Sequence, residues 1–155
     1  MVEVGQEAPD FTLRDAENQE VTLSSFRGRR NVVLVFYPLA FSPTCTRQLT
    51  AIGGREAEYA GADAQVIGVS VDSRWAQRAF AESLGLSDTI LLADFEPKGA
   101  VARAYGVYQD DRGFSARATF VIDSAGIVRS AVTVGGSDIP DEDEYFATLA
   151  TCQID

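Results

Sequence analysis

The chain has 155 residues, and its 13 basic and 23 acidic side chains give a formal net charge of −10. This balance argues against binding to nucleic acid or to an anionic membrane surface, because both require a cationic face. The sequence contains no histidine, which excludes Ser-His-Asp and Cys-His catalysis and every histidine-ligated metal site. An apolar fraction of 46% is enough for a packed core, so we predict one domain over residues 1–155.

The two cysteines, Cys45 and Cys152, lie far apart in the sequence. Neither a Cys-x-x-Cys pair nor a four-cysteine metal cage can therefore form. The first residues lack the basic and apolar regions of a signal peptide, and no apolar run approaches the roughly 20 residues of a membrane helix. We expect a cytoplasmic protein without membrane association, whose cysteines stay free thiols unless they react.

In the first half of the chain, the apolar pattern predicts a hairpin followed by a strand–helix–strand unit. Residues 11–13 and 21–23 flank a polar turn and predict an N-terminal β-hairpin. Asn31–Tyr37 and Ala64–Val71 are almost continuously apolar, which is typical of strands covered on both faces. The segment between them, Pro43–Ala60, has helical composition, so the two strands are expected to be parallel.

The next segment predicts two helices separated by a short strand. Ser73 is the predicted N-cap of a helix that ends near Gly85. Residues 90–93 predict a short strand. Pro97 is placed in the first turn of the following helix, which Gly106 closes.

The last third of the chain predicts a second hairpin and a terminal helix. Residues 117–123 and 127–132 flank a Ser-Ala-Gly turn. The terminal helix is expected to start at Pro140, and its acidic first turn is favoured by the helix dipole. Together the elements predict an α/β fold, with a mixed central sheet, helices on both faces and an N-terminal β-hairpin.

Cys45 follows the predicted strand at 31–37 within the segment Pro38-Leu39-Ala40-Phe41-Ser42-Pro43-Thr44-Cys45. Because a residue before proline disfavours helical geometry, Ser42 is predicted as the N-cap and Pro43 as the first helical residue. Cys45 then lies in the first turn, near the Ser42 hydroxyl, where free N–H groups and the helix dipole favour an anion. Since the thiolate is the reactive form, Cys45 is the candidate nucleophile. The alternative is a small, buried, unreactive side chain.

A thiolate in a protein without histidine needs another cation, and arginine is the candidate, because the chain has twelve arginines and one lysine. Arg117 stands at the start of the apolar run Thr119-Phe120-Val121-Ile122. Such a residue is either a solvent-facing strand end or a charge directed into a site. The pattern alone favours the solvent-facing strand end.

Several motifs occur together in an order that one enzyme family shares. They are Ala8-Pro9-Asp10-Phe11-Thr12-Leu13, the segment Val21–Gly28, the loop pattern met by Pro38, Ser42 and Cys45, and the segments Val69–Ser73, Leu91–Asp94 and Arg117–Asp123. With these motifs the chain resembles a peroxiredoxin over nearly its whole length. The stretch Phe36-Tyr37-Pro38-Leu39-Ala40-Phe41 is similar to the alkyl hydroperoxide reductase E-like subgroup.

The resemblance implies a thioredoxin-like fold and a thiol-dependent peroxidase that reduces hydrogen peroxide and organic hydroperoxides without metal, haem or flavin. Cys45 would be the peroxidatic cysteine and would become a sulfenic acid. The Ser42 hydroxyl would hold the thiolate and the peroxide, and the Cys45 backbone N–H would bind the peroxide oxygens. Pro38 would shield the pocket, and Arg117 would stabilise the thiolate and polarise the O–O bond. The implied partners are a second copy in a homodimer and a reductant, which is thioredoxin, a glutaredoxin-like protein or a low-molecular-weight thiol.

Three positions depart from the family pattern. Ser42 replaces the commoner threonine, and Gln48 stands where many members carry a glutamate, which weakens the expected support for an arginine. Gly53 and Gly54 fall inside the expected catalytic helix, where each costs about 1 kcal/mol relative to alanine. We therefore predict a helix that is kinked or easily loosened.

Two alternatives stay open. Cys152 is either a resolving cysteine for Cys45, which requires Cα atoms within about 7 Å, or an incidental exposed thiol at a frayed helix end, which the pattern favours. The rival function is a non-enzymatic thiol redox sensor or interaction module on the same fold. A thioredoxin-like disulfide reductase is disfavoured, because Ser42 and Gln48 occupy the positions where its second cysteine would stand.

Overall fold

The computed structural model describes residues 1–154, and a seven-stranded mixed sheet forms its centre. The strands are β1 Thr12–Asp15, β2 Glu20–Thr22, β3 Asn31–Phe36, β4 Ala64–Ser70, β5 Ile90–Ala93, β6 Tyr108–Gln109, β7 Phe114–Ser115, β8 Arg117–Ile122 and β9 Val128–Val134. The helices are α1 Pro43–Gly53, α2 Glu56–Gly61, α3 Arg74–Leu84, α4 Ala100–Ala104 and α5 Glu142–Leu149, with a short 3-10 turn at Leu23–Phe26.

The strand order in the sheet is β2-β1-β5-β4-β3-β8-β9, while β6 and β7 pair separately as a small hairpin. Strands β3, β4 and β5 are parallel, and every other pair in the sheet is antiparallel. We call the carboxyl edge the side of the sheet where β3, β4 and β5 end; β8 begins there, since Ala118 pairs with Phe36. The amino edge is the opposite side, where β3 begins at Asn31. The predicted hairpins, central strands and parallel crossover are confirmed.

Two apolar layers cover the sheet, as the continuous apolar strands predicted. Along β3, Leu34 and Phe36 belong to one layer, while Val33 and Val35 belong to the other, because successive strand residues face opposite sides. Helices α1, α2, α3 and α5 supply side chains to the second layer, and α4 supplies them to the first. Each large apolar side chain buried in this way contributes about 1.5–3 kcal/mol, so the sheet is a rigid platform for the loops at its edges.

The predicted catalytic helix is divided at its two glycines. Helix α1 ends at Gly53, and α2 begins at Glu56. A Cβ atom at Gly53 would lie 2.8 Å from Leu86 Cδ2, so glycine permits this end of α1 to pack closely on the neighbouring segment. The sequence predicted a single helix kinked or easily loosened at these glycines; the structure instead has two helices, and α1 is a short helix of three turns.

Helix α3 agrees with its predicted signals, whereas α4 starts later than predicted. Ser73 caps α3 by accepting a hydrogen bond from the Ala76 N–H, and Gly85 ends it with φ +65°. Helix α4 begins at Ala100 rather than near Pro97, because the buried Asp94 carboxylate accepts the N–H groups of Val101 and Ala102 and so sets the start of the helix.

Helix α5 also starts slightly later than predicted. Pro140 lies before the N-cap Asp141, whose carboxylate accepts the Asp143 N–H. The proline therefore precedes the first helical residue, Glu142, instead of being it. Within residues 1–154, no helix is both long and apolar enough to cross a bilayer.

Candidate active site

The loop after β3 is held at the carboxyl edge by an acidic side chain from the neighbouring strand end. Asp72 Oδ2 accepts the Ala40 N–H at 2.8 Å and the Ser70 hydroxyl at 2.6 Å. Phe41 adopts a left-handed φ of +68°, which is uncommon for a non-glycine residue, and its ring packs 5.1 Å from that of Phe80. The loop thus reaches α1 in one defined conformation.

Helix α1 begins as the sequence predicted. Ser42 is the N-cap with extended φ and ψ of −66° and 151°, and Pro43 is the first helical residue. Cys45 lies in the first turn and is 0% exposed. Its backbone N–H has no acceptor within residues 1–154, as the geometry of a first turn dictates. A free donor therefore lies beside the thiol at the positive end of the helix.

The Ser42 hydroxyl does not point in the predicted direction, toward the thiol. Ser42 Oγ donates to the Leu39 carbonyl at 2.7 Å, and within residues 1–154 it forms no hydrogen bond with the Cys45 sulfur. Ser42 therefore does not use its hydroxyl hydrogen to hold the thiol in this conformation, and both groups belong to the same helix start.

Arg117 contacts the Cys45 sulfur directly. Both terminal guanidinium nitrogens of Arg117 lie 3.4 Å from Cys45 Sγ, and the residue is 6% exposed. The strand pattern favoured a solvent-facing position for Arg117, and that prediction is wrong. Because β8 runs antiparallel to β3, its first residue lies at the carboxyl edge, where α1 covers it.

A buried glutamine completes the arginine's contacts. Arg117 Nη1 donates to Gln48 Oε1 at 2.7 Å. Gln48 Nε2 is buried and has no hydrogen-bond partner within residues 1–154, and such a group usually costs about 1–3 kcal/mol. The sequence had singled out Gln48 only as a departure from the family, with no indication of this orphaned donor.

Pro38 lines a cleft of about 200 Å³ at the same edge. The cleft is also lined by Arg117, by Arg112 and Phe114 from the β6–β7 hairpin, and by the glycines that follow β9. Arg117 therefore belongs both to this cleft and to the contacts of the sulfur. The sequence did not predict the β6–β7 hairpin, because two-residue strands carry almost no periodic signal.

A buried tyrosine lies behind the thiol. Tyr37 donates its hydroxyl hydrogen bond to Gln77, whose amide donates to Ser70 Oγ and to the Leu92 carbonyl. Burial raises the pKa of Tyr37 far above its ordinary value, so the hydroxyl stays a neutral donor. The sequence reasoning missed this network, whose polar residues lie inside otherwise apolar segments.

Cys152 lies at the other edge of the sheet. Its carbonyl accepts Asn31 Nδ2 at 2.8 Å, its thiol donates to the Thr148 carbonyl at 3.3 Å, and the residue is 8% exposed. The prediction that the Cys152 thiol is exposed is therefore wrong, because Asn31 holds the segment after α5 against the start of β3.

The two thiols are separated by about the length of β3. Its six residues span about 17 Å, and Cys45 lies beyond one end of the strand while Cys152 lies at the other. A disulfide requires Cα atoms within about 7 Å. The two cysteines therefore cannot form one in this conformation.

This geometry narrows the class of protein. The site combines one buried thiol at a helix start with an arginine from a thioredoxin-like sheet, and no second cysteine lies nearby. This arrangement suits a cysteine that attacks an electrophile. That arrangement defines a peroxiredoxin, a thiol-dependent peroxidase. The AhpC/TSA family model matches residues 4–131, and the chain belongs to that family.

Known proteins agree with this assignment over the whole chain. The chain is similar to alkyl hydroperoxide reductase E of Mycobacterium tuberculosis, with 39% identity over 150 residues that cover 97% of each protein. It is also similar to a chloroplastic 2-cysteine peroxiredoxin of Chattonella marina, with 35% identity over 98% of this chain and 81% of that protein.

A solved structure shows the same fold. The crystal structure of peroxidoxin BcpB from Mycobacterium tuberculosis matches with a TM-score of 0.87 and 31% identity, covering 99% of both chains. The predicted thioredoxin-like α/β fold and peroxidase class are confirmed, and the non-enzymatic sensor is not favoured.

Proposed function

We propose that Cys45 reduces hydrogen peroxide and organic hydroperoxides by direct attack of its thiolate on the terminal peroxide oxygen. An S–O bond forms as the O–O bond breaks, and the leaving oxygen takes up a proton and departs as water or an alcohol. The cysteine is oxidised to a sulfenic acid and the peroxide is reduced by two electrons. The observation that carries this proposal is the pair of guanidinium contacts from Arg117 to the sulfur.

The surrounding groups suit the charge that develops in this step. Arg117 would stabilise the thiolate and the negative charge on the leaving oxygen, because a fixed donor in a buried site needs no reorganisation. The free N–H of Cys45 would bind a peroxide oxygen. Since the Ser42 hydroxyl donates to Leu39, its lone pairs are left to accept the O–H of the hydroperoxide, while Pro38 forms part of the cleft wall.

An external thiol would complete the cycle, because Cys152 is too far away to resolve the sulfenic acid. Two thiol equivalents return Cys45 to its reduced form and release a disulfide and water. Thioredoxin, a glutaredoxin-like protein or a low-molecular-weight thiol has this chemistry, and the cytoplasm supplies all three classes. The proposed cycle therefore uses one cysteine of this chain.

We also propose a homodimer that forms through the carboxyl edge. Four large apolar residues are exposed on the loops and helix start that follow β3, β4 and β5, namely Leu39, Phe41, Trp75 and Phe95. Trp75 is 66% exposed, with the Arg74 guanidinium 4.0 Å from its ring centre. Exposed apolar groups clustered in this way are typical of an interface. Analytical ultracentrifugation should show a dimer for the wild type and a monomer for Trp75→Glu, and a monomeric wild type would refute the proposal.

The peroxidase proposal is tested by intact mass after one equivalent of hydroperoxide. The wild type and Cys152→Ser should each gain one oxygen, while Cys45→Ser should stay unchanged. A wild-type monomer lighter by two hydrogens would instead identify Cys152 as a resolving cysteine. If no protein changes mass, or if added thiols support no turnover, the proposed reaction at Cys45 is wrong.

A further inference from the structure

The cleft at the carboxyl edge is lined by two positive charges and by no negative one. Among its lining residues within the described range 1–154, Arg112 and Arg117 are cationic and none is acidic. The whole chain has a net charge of −10, so this cleft differs in charge from the protein as a whole. A cleft whose charges share one sign attracts ligands of the opposite sign. The lining therefore indicates an anionic ligand.

Arg112 is available to such a ligand. It is exposed on the turn of the β6–β7 hairpin, and it takes part in none of the ion pairs within residues 1–154. The acid two positions before it, Asp110, pairs with Arg103 at 2.8 Å. Neither Asp110 nor Asp111 lines the cleft. The positive charge of Arg112 is therefore not neutralised by an ion pair of the protein itself.

The other walls of the cleft limit the size of the ligand. Pro38, Phe114 and Val134 supply apolar surface. At Gly135 and Gly136 a Cβ atom would meet no heavy atom within 4 Å, so this wall is open. The volume of about 200 Å³ is smaller than the roughly 300–1,000 Å³ of pockets for drug-sized ligands. The cleft therefore suits a short organic acid with a small hydrocarbon body and one anionic end.

Arg117 connects the cleft to the proposed chemistry. It lines the cleft, and both of its terminal nitrogens lie 3.4 Å from Cys45 Sγ. A ligand in the cleft thus lies against the residue that contacts the sulfur. Two kinds of molecule react at Cys45 in the proposed cycle, a hydroperoxide and a thiol, and either kind can carry a carboxylate. A guanidinium group pairs with the planar carboxylate through two hydrogen bonds.

We propose that the cleft is a subsite for the carboxylate of a short-chain substrate of Cys45, and that Arg112 is the residue that selects this group. The inference rests on the proposed peroxidase function and deepens it by naming a substrate class. In the oxidative step the carboxylate belongs to the hydroperoxide. In the reductive step it belongs to the thiol, whose sulfur attacks the sulfenic acid, forms a mixed disulfide and releases water.

The first arm of the test compares hydroperoxides that differ only in charge. Stopped flow measures the rate constants of Cys45 oxidation, in a Cys152→Ser background, with a short tertiary-alkyl hydroperoxide that bears a carboxylate and with its methyl ester. Arg112→Ala should lower the ratio of the acid rate to the ester rate about twofold to fivefold, the range for one exposed charge pair. Arg29→Ala is the matched control, because it removes an exposed charge at the amino edge, and it should leave the ratio unchanged.

The second arm compares thiols in the same way. Cys45 is first oxidised with hydrogen peroxide, and the sulfenic acid is then reduced with mercaptoacetate or with its methyl ester. A ratio that falls in Arg112→Ala only in the first arm identifies the hydroperoxide as the source of the carboxylate. A ratio that falls only in the second arm identifies the thiol, and a fall in both arms shows that the subsite serves both steps.

A further variant leaves Arg112 in place. Gly135→Glu adds a carboxylate to the open wall of the cleft, so it should lower the ratio as Arg112→Ala does. Wild-type ratios for both variants in both arms, or an equal fall in Arg29→Ala, would overturn the proposal. Hydrogen peroxide and the neutral esters report the reaction itself. Failure of Cys45 to oxidise with them counts against the peroxidase function, whereas normal oxidation with unchanged ratios counts against the subsite alone.

Discussion

Cys45 and Cys152 are both free and both buried, yet their surroundings differ completely. Cys45 lies at the carboxyl edge under a guanidinium group and beside a free backbone N–H. Cys152 lies at the amino edge, where its thiol donates to a backbone carbonyl. A carbonyl acceptor favours the neutral thiol, whereas a cation and a free donor favour the thiolate. Burial therefore does not distinguish the proposed reactive cysteine from Cys152; the charge and polarity of the neighbours do.

The loops at the two edges also differ. The carboxyl edge combines a left-handed Phe41, an orphaned amide at Gln48 and several exposed aromatic rings. At the amino edge the Glu56 carboxylate accepts five hydrogen bonds from residues 87–89. Features that cost stability thus lie near the thiol proposed to react, while a carboxylate with many partners stabilises the opposite edge.

The largest effect is expected from removing the cation that distinguishes Cys45. Arg117→Ala should lower the second-order rate constant with hydroperoxide by about 10²–10³-fold, the usual loss when one preorganised donor is removed. Arg117→Lys keeps the charge but not the paired nitrogens. Its rate constant should therefore lie between those of the wild type and Arg117→Ala. Stopped-flow measurement on variants shown to be folded by circular dichroism checks this, and a loss smaller than threefold would mean that the guanidinium contact has no catalytic importance.

A smaller effect is expected from loosening the loop that leads to Cys45. Asp72→Ala removes the acceptor of the Ala40 N–H and of the Ser70 hydroxyl, and misplacement of the helix start should lower the peroxide rate about tenfold. Asp72→Asn retains an oxygen acceptor and should preserve most of the rate. Equal rates for Asp72→Ala and the wild type would show that the loop keeps its conformation without this anchor.

At the amino edge the expected effect is on stability, with no effect on the peroxide rate. Asn31→Ala leaves the buried carbonyl of Cys152 without its donor, which should lower the free energy of unfolding by about 1–3 kcal/mol. Urea denaturation measures this change, and the rate at Cys45 is the internal control. A fall in that rate would contradict the functional separation of the two edges.

The smallest effect is expected at Glu56 and depends on pH. Burial by itself raises the pKa of Glu56, but hydrogen bonds from Thr89, Ser87 and Asp88 outweigh it and hold the pKa below the ordinary 4.5. The resulting stabilisation is present above pH 4.5 and is lost as the pH falls through the lowered folded-state pKa.

Glu56→Gln should therefore destabilise the protein at pH 7 by about 1 kcal/mol, a value reduced for partial solvent exposure. The difference from the wild type should shrink in acid. Urea denaturation at neutral and acidic pH compares the two proteins. A difference that stays constant with pH would show that the carboxylate charge is not what stabilises this edge.

Local signals predicted much of the site. Ser42 and Pro43 predicted the start of α1, because the residue before a proline avoids helical geometry, and this start places Cys45 in the first turn. The glycines at 53 and 54 predicted a weak point in the helix, and α1 and α2 are divided there. The start of α4 was misplaced, since its capping carboxylate, Asp94, lies outside the helix and reaches it only through the tertiary fold.

The sequence by itself therefore determined the order of the longer strands and helices, the family resemblance and the position of one thiol at a helix N-terminus. These properties depend on the periodicity of apolar residues and on backbone preferences over a few neighbouring residues. Only the tertiary structure decided that Arg117 points at Cys45, that Gln48 keeps an unsatisfied amide and that Cys152 is buried at the opposite edge. Each of these depends on side chains from segments distant in sequence, whose contacts are set by strand pairing and layer packing, and no local pattern encodes those contacts.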